Sequence, residues 1–168
     1  MKYKVLWIED GAFVGVDHFT GPVLLTWKYD LNVAIDVSDA IEQIKNIEFD
    51  AVIVDIRLPP GMDPGWEALY INSGDKKSSA RLGIQLLFSL LKPGKAPIKL
   101  EKIPSWISPA KFGVFTVESE GEVKNELAEL NIFCFQQKKT GLPKTALLEL
   151  IERVIENSRK NSNREEPQ

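Results

Sequence analysis

Residues 50–56 read DAVIVDI, an apolar, β-branched run that meets an acid, Asp55, near its end. A strand apolar on both sides belongs in a parallel sheet covered by helices on both faces, not in an antiparallel sheet with one wet face. The acid needs a reason of its own. An unpaired buried carboxylate is expensive, so Asp55 is expected to be paired, metal-bound or at an exposed strand end.

The rest of the chain supplies the layers. Strand-like runs recur at residues 3–8 (YKVLWI), 31–37 (LNVAIDV), 112–117 (FGVFTV) and 132–137 (IFCFQQ). Helical periodicity lies between them. One helix is expected from about Thr20 or Gly21 to Tyr29, because Pro22 fits only a first turn. The next covers 39–46, with Ser38 as its N-cap. Another covers 81–92 and stops at Pro93-Gly94. A helix is predicted over 119–131, and an amphipathic one over 143–157 that starts at Pro143. Strands alternating with helices give a parallel sheet with right-handed crossovers. Five such strands predict a doubly wound, three-layer α/β/α sandwich whose ligand site lies beyond the carboxyl ends of the strands.

Two stretches look irregular. Residues 57–80 hold three of the ten prolines and the polar cluster GDKKSS, and residues 93–111 hold four more prolines. The polar tail 158–168 is expected to be disordered. A length of 168 residues suits one domain. Net charge −3 and a pI near 5.3 argue against nonspecific nucleic-acid binding. One cysteine, Cys134 in an apolar run, reads as a small buried hydrophobe, and one histidine, His18, cannot build a His-rich metal site. The apolar run at 5–8 is too short for a secretion signal, and no stretch reaches membrane-spanning length, so a cytoplasmic location is expected.

The residues that end the strands carry the chemistry. They are Glu9 and Asp10, then Asp55, then Thr116, then Lys138 and Lys139. If the first and third strands are neighbours, three carboxylates crowd together and need a cation. Magnesium suits oxygen ligands and keeps sites for phosphate oxygens. A lysine and a hydroxyl opposite would hold a phosphoryl group while a carboxylate attacks it.

With these residues the chain resembles the receiver domains of response regulators, over roughly residues 3–156. Residues 55–61 (DIRLPPG) look like that family's Asp-x-x-x-Pro loop, and residues 83–91 look like the start of its third helix. The resemblance implies a flavodoxin-like sheet of order 2-1-3-4-5. It implies Asp55 as phosphoacceptor and Mg2+ held by Glu9, Asp10, Asp55 and the Arg57 backbone carbonyl. It makes Thr116 and Phe135 the switch pair and Lys138 the phosphate-contacting lysine. Phe135 before it and Leu142 after it favour Lys138, but Lys139 stands where the family usually has proline and could substitute. Val117 stands where the family keeps a small residue. Arg57 and Glu118 occupy places that tune dephosphorylation and are expected to pair across the site mouth. Expected partners are a sensor histidine kinase or phosphotransfer protein and an unidentified output protein, docking near Glu126, Phe135 and Lys144. Neither nucleic acid nor a membrane is expected as a partner.

Residues 1–157 would then be one stand-alone receiver-like domain, a phosphoacceptor rather than an enzyme, with insertions at about 61–80 and 94–110. Trp66, Tyr70 and Trp106 would pack those insertions down or contact a partner. The rival reading is a pseudo-receiver, an interaction module that is never phosphorylated. A phosphatase of the haloacid-dehalogenase type would need a second Asp where Arg57 stands, and neither a phosphate-binding GxxxxGK[ST] loop nor a dinucleotide fingerprint is present.

Overall fold

The computed structural model describes residues 1–165. Five strands form the sheet: β1 (Tyr3–Ile8), β2 (Tyr29–Ala34), β3 (Ala51–Val54), β4 (Phe112–Thr116) and β5 (Cys134–Gln137). Seven α-helices join them: α1 (Thr20–Leu25), α2 (Val37–Asn46), α3 (Pro64–Asn72), α4 (Lys77–Ala80), α5 (Leu82–Leu91), α6 (Glu120–Glu129) and α7 (Ala146–Glu165). All pairings are parallel, in the order β2-β1-β3-β4-β5. This is the flavodoxin-like order expected.

Alternation along each strand builds two cores. Leu6, Ile8, Val52, Val54, Phe112 and Val114 point to one face, where α2, α5 and α6 cover them. Val5, Trp7, Ala51, Ile53 and Phe115 point to the other, under α1 and α7. The β-branched run of β3 is thus buried on both sides, which is why it carries no polar residue until Asp55.

Several boundaries differ from expectation. The first helix ends at Leu25, not Tyr29. Thr26 bonds its hydroxyl back to the Val23 carbonyl at 2.8 Å, Trp27 turns left-handed (φ 59°), and Tyr29 already pairs with Tyr3. The second helix is capped by Asp36, whose Oδ1 accepts from the Asp39 N–H at 2.8 Å. The Ser38 hydroxyl instead donates to the Pro60 carbonyl at 2.7 Å and accepts from the Asp63 N–H at 3.0 Å.

Residues 57–80 are not all loop. Asp63 caps α3, accepting from Gly65 and Trp66, and Pro64 opens its first turn. Both insertions are packed down. Trp66 is buried, and Tyr70, Ile98, Leu100 and Trp106 lie against the core. Trp106 meets Phe49 edge-to-face at 6.0 Å, and the buried Ser89 hydroxyl holds the Ile98 carbonyl at 2.7 Å.

The last helix begins at Ala146, later than Pro143, and runs on to Glu165. Residues 158–165, expected to be disordered, are therefore helical. They bury no apolar stripe, but a formed helix adds residues at little cost, and pairs such as Lys160–Glu156 at 2.7 Å help. Residues 166–168 of the expected tail lie outside the described residues. No helix among the described residues is long and apolar enough to cross a membrane.

Candidate functional site

The carboxyl ends of β1, β3, β4 and β5 open into one cavity of about 880 Å³, lined among others by Glu9, Asp10, Asp55, Val117 and Lys138. The strand order makes β1 and β3 neighbours, with Ile8 beside Val54. That register brings the three acids together: ligand oxygens of Glu9, Asp10 and Asp55 lie within 4.8 Å of one another. Glu9 and Asp55 are buried, and Asp10 is partly exposed.

Lys138 answers the charge. Its Nζ pairs with Glu9 Oε2 and lies 3.3 Å from Asp55 Oδ2. Its side chain is only 9% exposed, and the Phe115 ring lies 5.5 Å below the ammonium. Of the two adjacent lysines, Lys138 reaches the acids, while Lys139 is exposed at the cavity rim.

Burial sets the protonation. It pushes Glu9 up to about 7, with the Asp55 charge adding to the rise and Lys138 opposing it. Burial also raises Asp55, against the pull of Lys138, Thr116 and the Arg57 N–H. That N–H reaches Asp55 Oδ1 at 3.4 Å. Thr116 is fully buried. Its hydroxyl lies near enough to favour the Asp55 carboxylate, yet makes no well-formed hydrogen bond. Phe135 is half-buried, pairs with Val114, and so sits on the same sheet face as Thr116 one step back.

Arg57 and Glu118 pair at 3.4 Å, as the sequence suggested. The tighter partner is Arg81, whose Nη2 lies 2.9 Å from Glu118 Oε2, while its Nη1 holds Glu126 at 2.8 Å. Those two carboxylates keep the Arg81 guanidinium charged against the opposing effect of its burial. Arg81 sits between α4 and α5 in a left-handed conformation (φ 46°), a strained choice for a non-glycine residue.

Sequence reasoning missed Arg81 and also Lys77. The Lys77 ammonium lies 2.5 Å from Asp10 Oδ2, and that contact holds its proton more firmly than in water. The signal was present, since the GDKKSS cluster is basic and faces an acidic site. Which lysine reaches Asp10 depends on the turn of α4, which sequence alone does not give.

The donor set is compatible with a small oxygen-seeking dication: three carboxylates converge, and their own lysines balance them incompletely. No family model and no curated protein matches the chain. Solved structures do. The receiver domain of Francisella response regulator 1452 matches at TM-score 0.60 and 19% identity, over 95% of this chain and 99% of that one. The CheY-like response regulator receiver domain protein of Methanospirillum hungatei matches at TM-score 0.58 and 16% identity, over 96% and 99%. The N-terminal domain of a response regulator/sensory box/GGDEF 3-domain protein from Carboxydothermus hydrogenoformans matches at TM-score 0.57 and 17% identity, over 95% and 98%. The fold of this chain is that of response regulator receiver domains.

Proposed function

We propose that the chain is a cytoplasmic receiver that accepts a phosphoryl group on Asp55, with Mg2+ at Glu9, Asp10 and Asp55, and passes the signal on by protein contact. One observation carries the reading: on a receiver fold, three acids and a largely buried lysine line one cavity, and a buried, unbonded hydroxyl lies beside Asp55, the five residues coming from four different strand ends.

An Asp55 carboxylate oxygen forms the new bond to phosphorus. The bond from phosphorus to the donor breaks, and the donor leaves with the electron pair, as a carboxylate from an acyl phosphate or as an imidazole from a phosphohistidine. Mg2+, when bound, neutralises charge between the carboxylates and the phosphoryl oxygens. Lys138 exchanges its contact with Asp55 for a phosphoryl oxygen. Thr116, buried and without a good partner, turns to another, and Phe135 fills the space it leaves. That is a population shift biased by new contacts. A sensor histidine kinase or phosphotransfer protein is the donor in this reading. The face of α6, β5 and α7 is where an output protein docks.

Acetyl phosphate with Mg2+ should add one phosphate-sized, base-labile adduct by intact mass, and Asp55→Asn should abolish it. No adduct on the unsubstituted protein would favour the pseudo-receiver. Two observations give that rival its weight: Lys77 already pairs with Asp10, and Val117 lines the cavity.

Glu118→Ala frees Arg57, which lines the cavity, and leaves Arg81 held by Glu126 alone. We expect it to change the lifetime of the phosphorylated form several-fold, read by the decay of the adduct. An unchanged lifetime would remove Arg57 and Glu118 from the tuning role.

A further inference from the structure

Lys77 is a cation at the acidic corner that phosphotransfer does not require. It comes from α4, inside the first insertion, and meets Asp10 across 67 residues of sequence. The helix that carries it has four residues, and its last, Ala80, is buried in the core. Arg81, just past its end, is anchored to the buried Glu118 and to Glu126. Lys77 is tied to Asp10 alone, through a pair in which the lysine is 46% exposed. Exposed pairs contribute little to stability, so the Lys77 tie is the one that gives way.

An ammonium and a divalent ion compete for Asp10. Both seek its carboxylate, and two cations a few ångströms apart in a partly buried corner repel each other. We propose that Lys77 is the built-in counter-ion of the acidic corner, that Mg2+ displaces it, and that this displacement releases α4 from Asp10. Lys77 thereby lowers the affinity of the site for metal. It also makes the exposed surface of α4, with Ser78 at the cavity rim, report whether the ion is bound. The inference rests on the metal reading of the proposed function.

Calorimetric titration of the chelator-stripped full chain with Mg2+ alone tests it. Lys77→Met should bind Mg2+ roughly ten-fold more tightly than the unsubstituted protein. Lys76→Met removes the same charge from the neighbouring exposed lysine and should leave affinity nearly unchanged. Hydrogen exchange over residues 77–80 should rise on adding Mg2+ to the unsubstituted protein. In Lys77→Met it should be high before any metal is added. Equal Mg2+ affinity of Lys77→Met and the unsubstituted protein overturns the role of Lys77 and leaves the metal reading standing. Equal tightening by both variants also overturns it, in favour of net charge. No binding by any of the three proteins at millimolar Mg2+ overturns the metal reading itself, and the competition with it.

Discussion

Gly83→Ala should remove a large part of the protein's stability. A Cβ at Gly83 would stand 2.0 Å from the Asp55 carbonyl oxygen and 2.7 Å from Ile56 Cα. Both are backbone atoms at the end of β3, so no side-chain rotation relieves the clash. The approach is fixed from the other side as well, because the Gly83 N–H donates to the Ile56 carbonyl at 2.9 Å. Overpacking usually costs about 1–3 kcal/mol, and a backbone clash belongs at or above the top of that range. Against a total of roughly 5–15 kcal/mol, such a loss is severe. Urea denaturation measures it. A loss under about 1 kcal/mol would mean that α5 can slide away from β3, and that Gly83 does not set their spacing. Gly121→Ala, in α6, is the contrast: nothing lies within 4 Å of its Cβ, so it should not destabilise. The same clash bears on chemistry. Moving α5 off Asp55 shifts the carboxylate that closes the acidic corner, so any folded Gly83→Ala protein should also bind Mg2+ more weakly.

What the sequence disclosed follows from which physical signals are local. The buried strands were legible because β-branched runs such as 51–54 suit only a doubly covered sheet. The crossover helix α5 was legible because ten residues of it are nearly all apolar. Insertions were harder. Asp63-Pro64 is a sound helix start, a capping acid followed by a proline whose missing N–H does no harm. Its prolines and glycines were read as loop because the apolar face of α3 is short. The extension of α7 past residue 157 has no apolar signal at all. It is carried by the preceding turns and by pairs four residues apart.

In the site, the strand-end residues were legible because topology alone aims them at one edge. Glu9, Asp10, Asp55, Thr116 and Lys138 all reach it. The choice between Lys138 and Lys139 was half-legible, since alternation along a strand makes one of two neighbours point inward. Lys77 and Arg81 were not legible. Each depends on a left-handed turn or a four-residue helix that positions a long side chain across tens of residues.

Glu9 should make the metal-free protein less stable as pH rises from 5 to 8. Its carboxyl titrates near 7 when folded and near 4.5 when unfolded. Below the lower value both states hold the proton and Glu9 imposes no penalty. Between the two values the folded state binds more protons than the unfolded one, so stability falls as pH rises. Above 7 the full penalty applies, on the order of 3 kcal/mol from the size of the shift. Asp55 is raised by the same burial and acts with the same sign, so the loss belongs to the pair. The carboxyls of Glu122, Glu129 and Glu156 are lowered instead, by hydrogen bonds from Ser119, Lys95 and Lys160, and so act with the opposite sign. Urea denaturation in chelator at several pH values should show the decline, and Glu9→Gln should remove most of it. Parallel curves for the two proteins would mean that Lys138 alone neutralises Glu9 across the range. Mg2+ added at pH 8 should restore stability to the unsubstituted protein, because an ion that binds only the folded state stabilises it by mass action. A buried acid that is costly without metal and satisfied with it makes the site's electrostatic burden the source of its affinity.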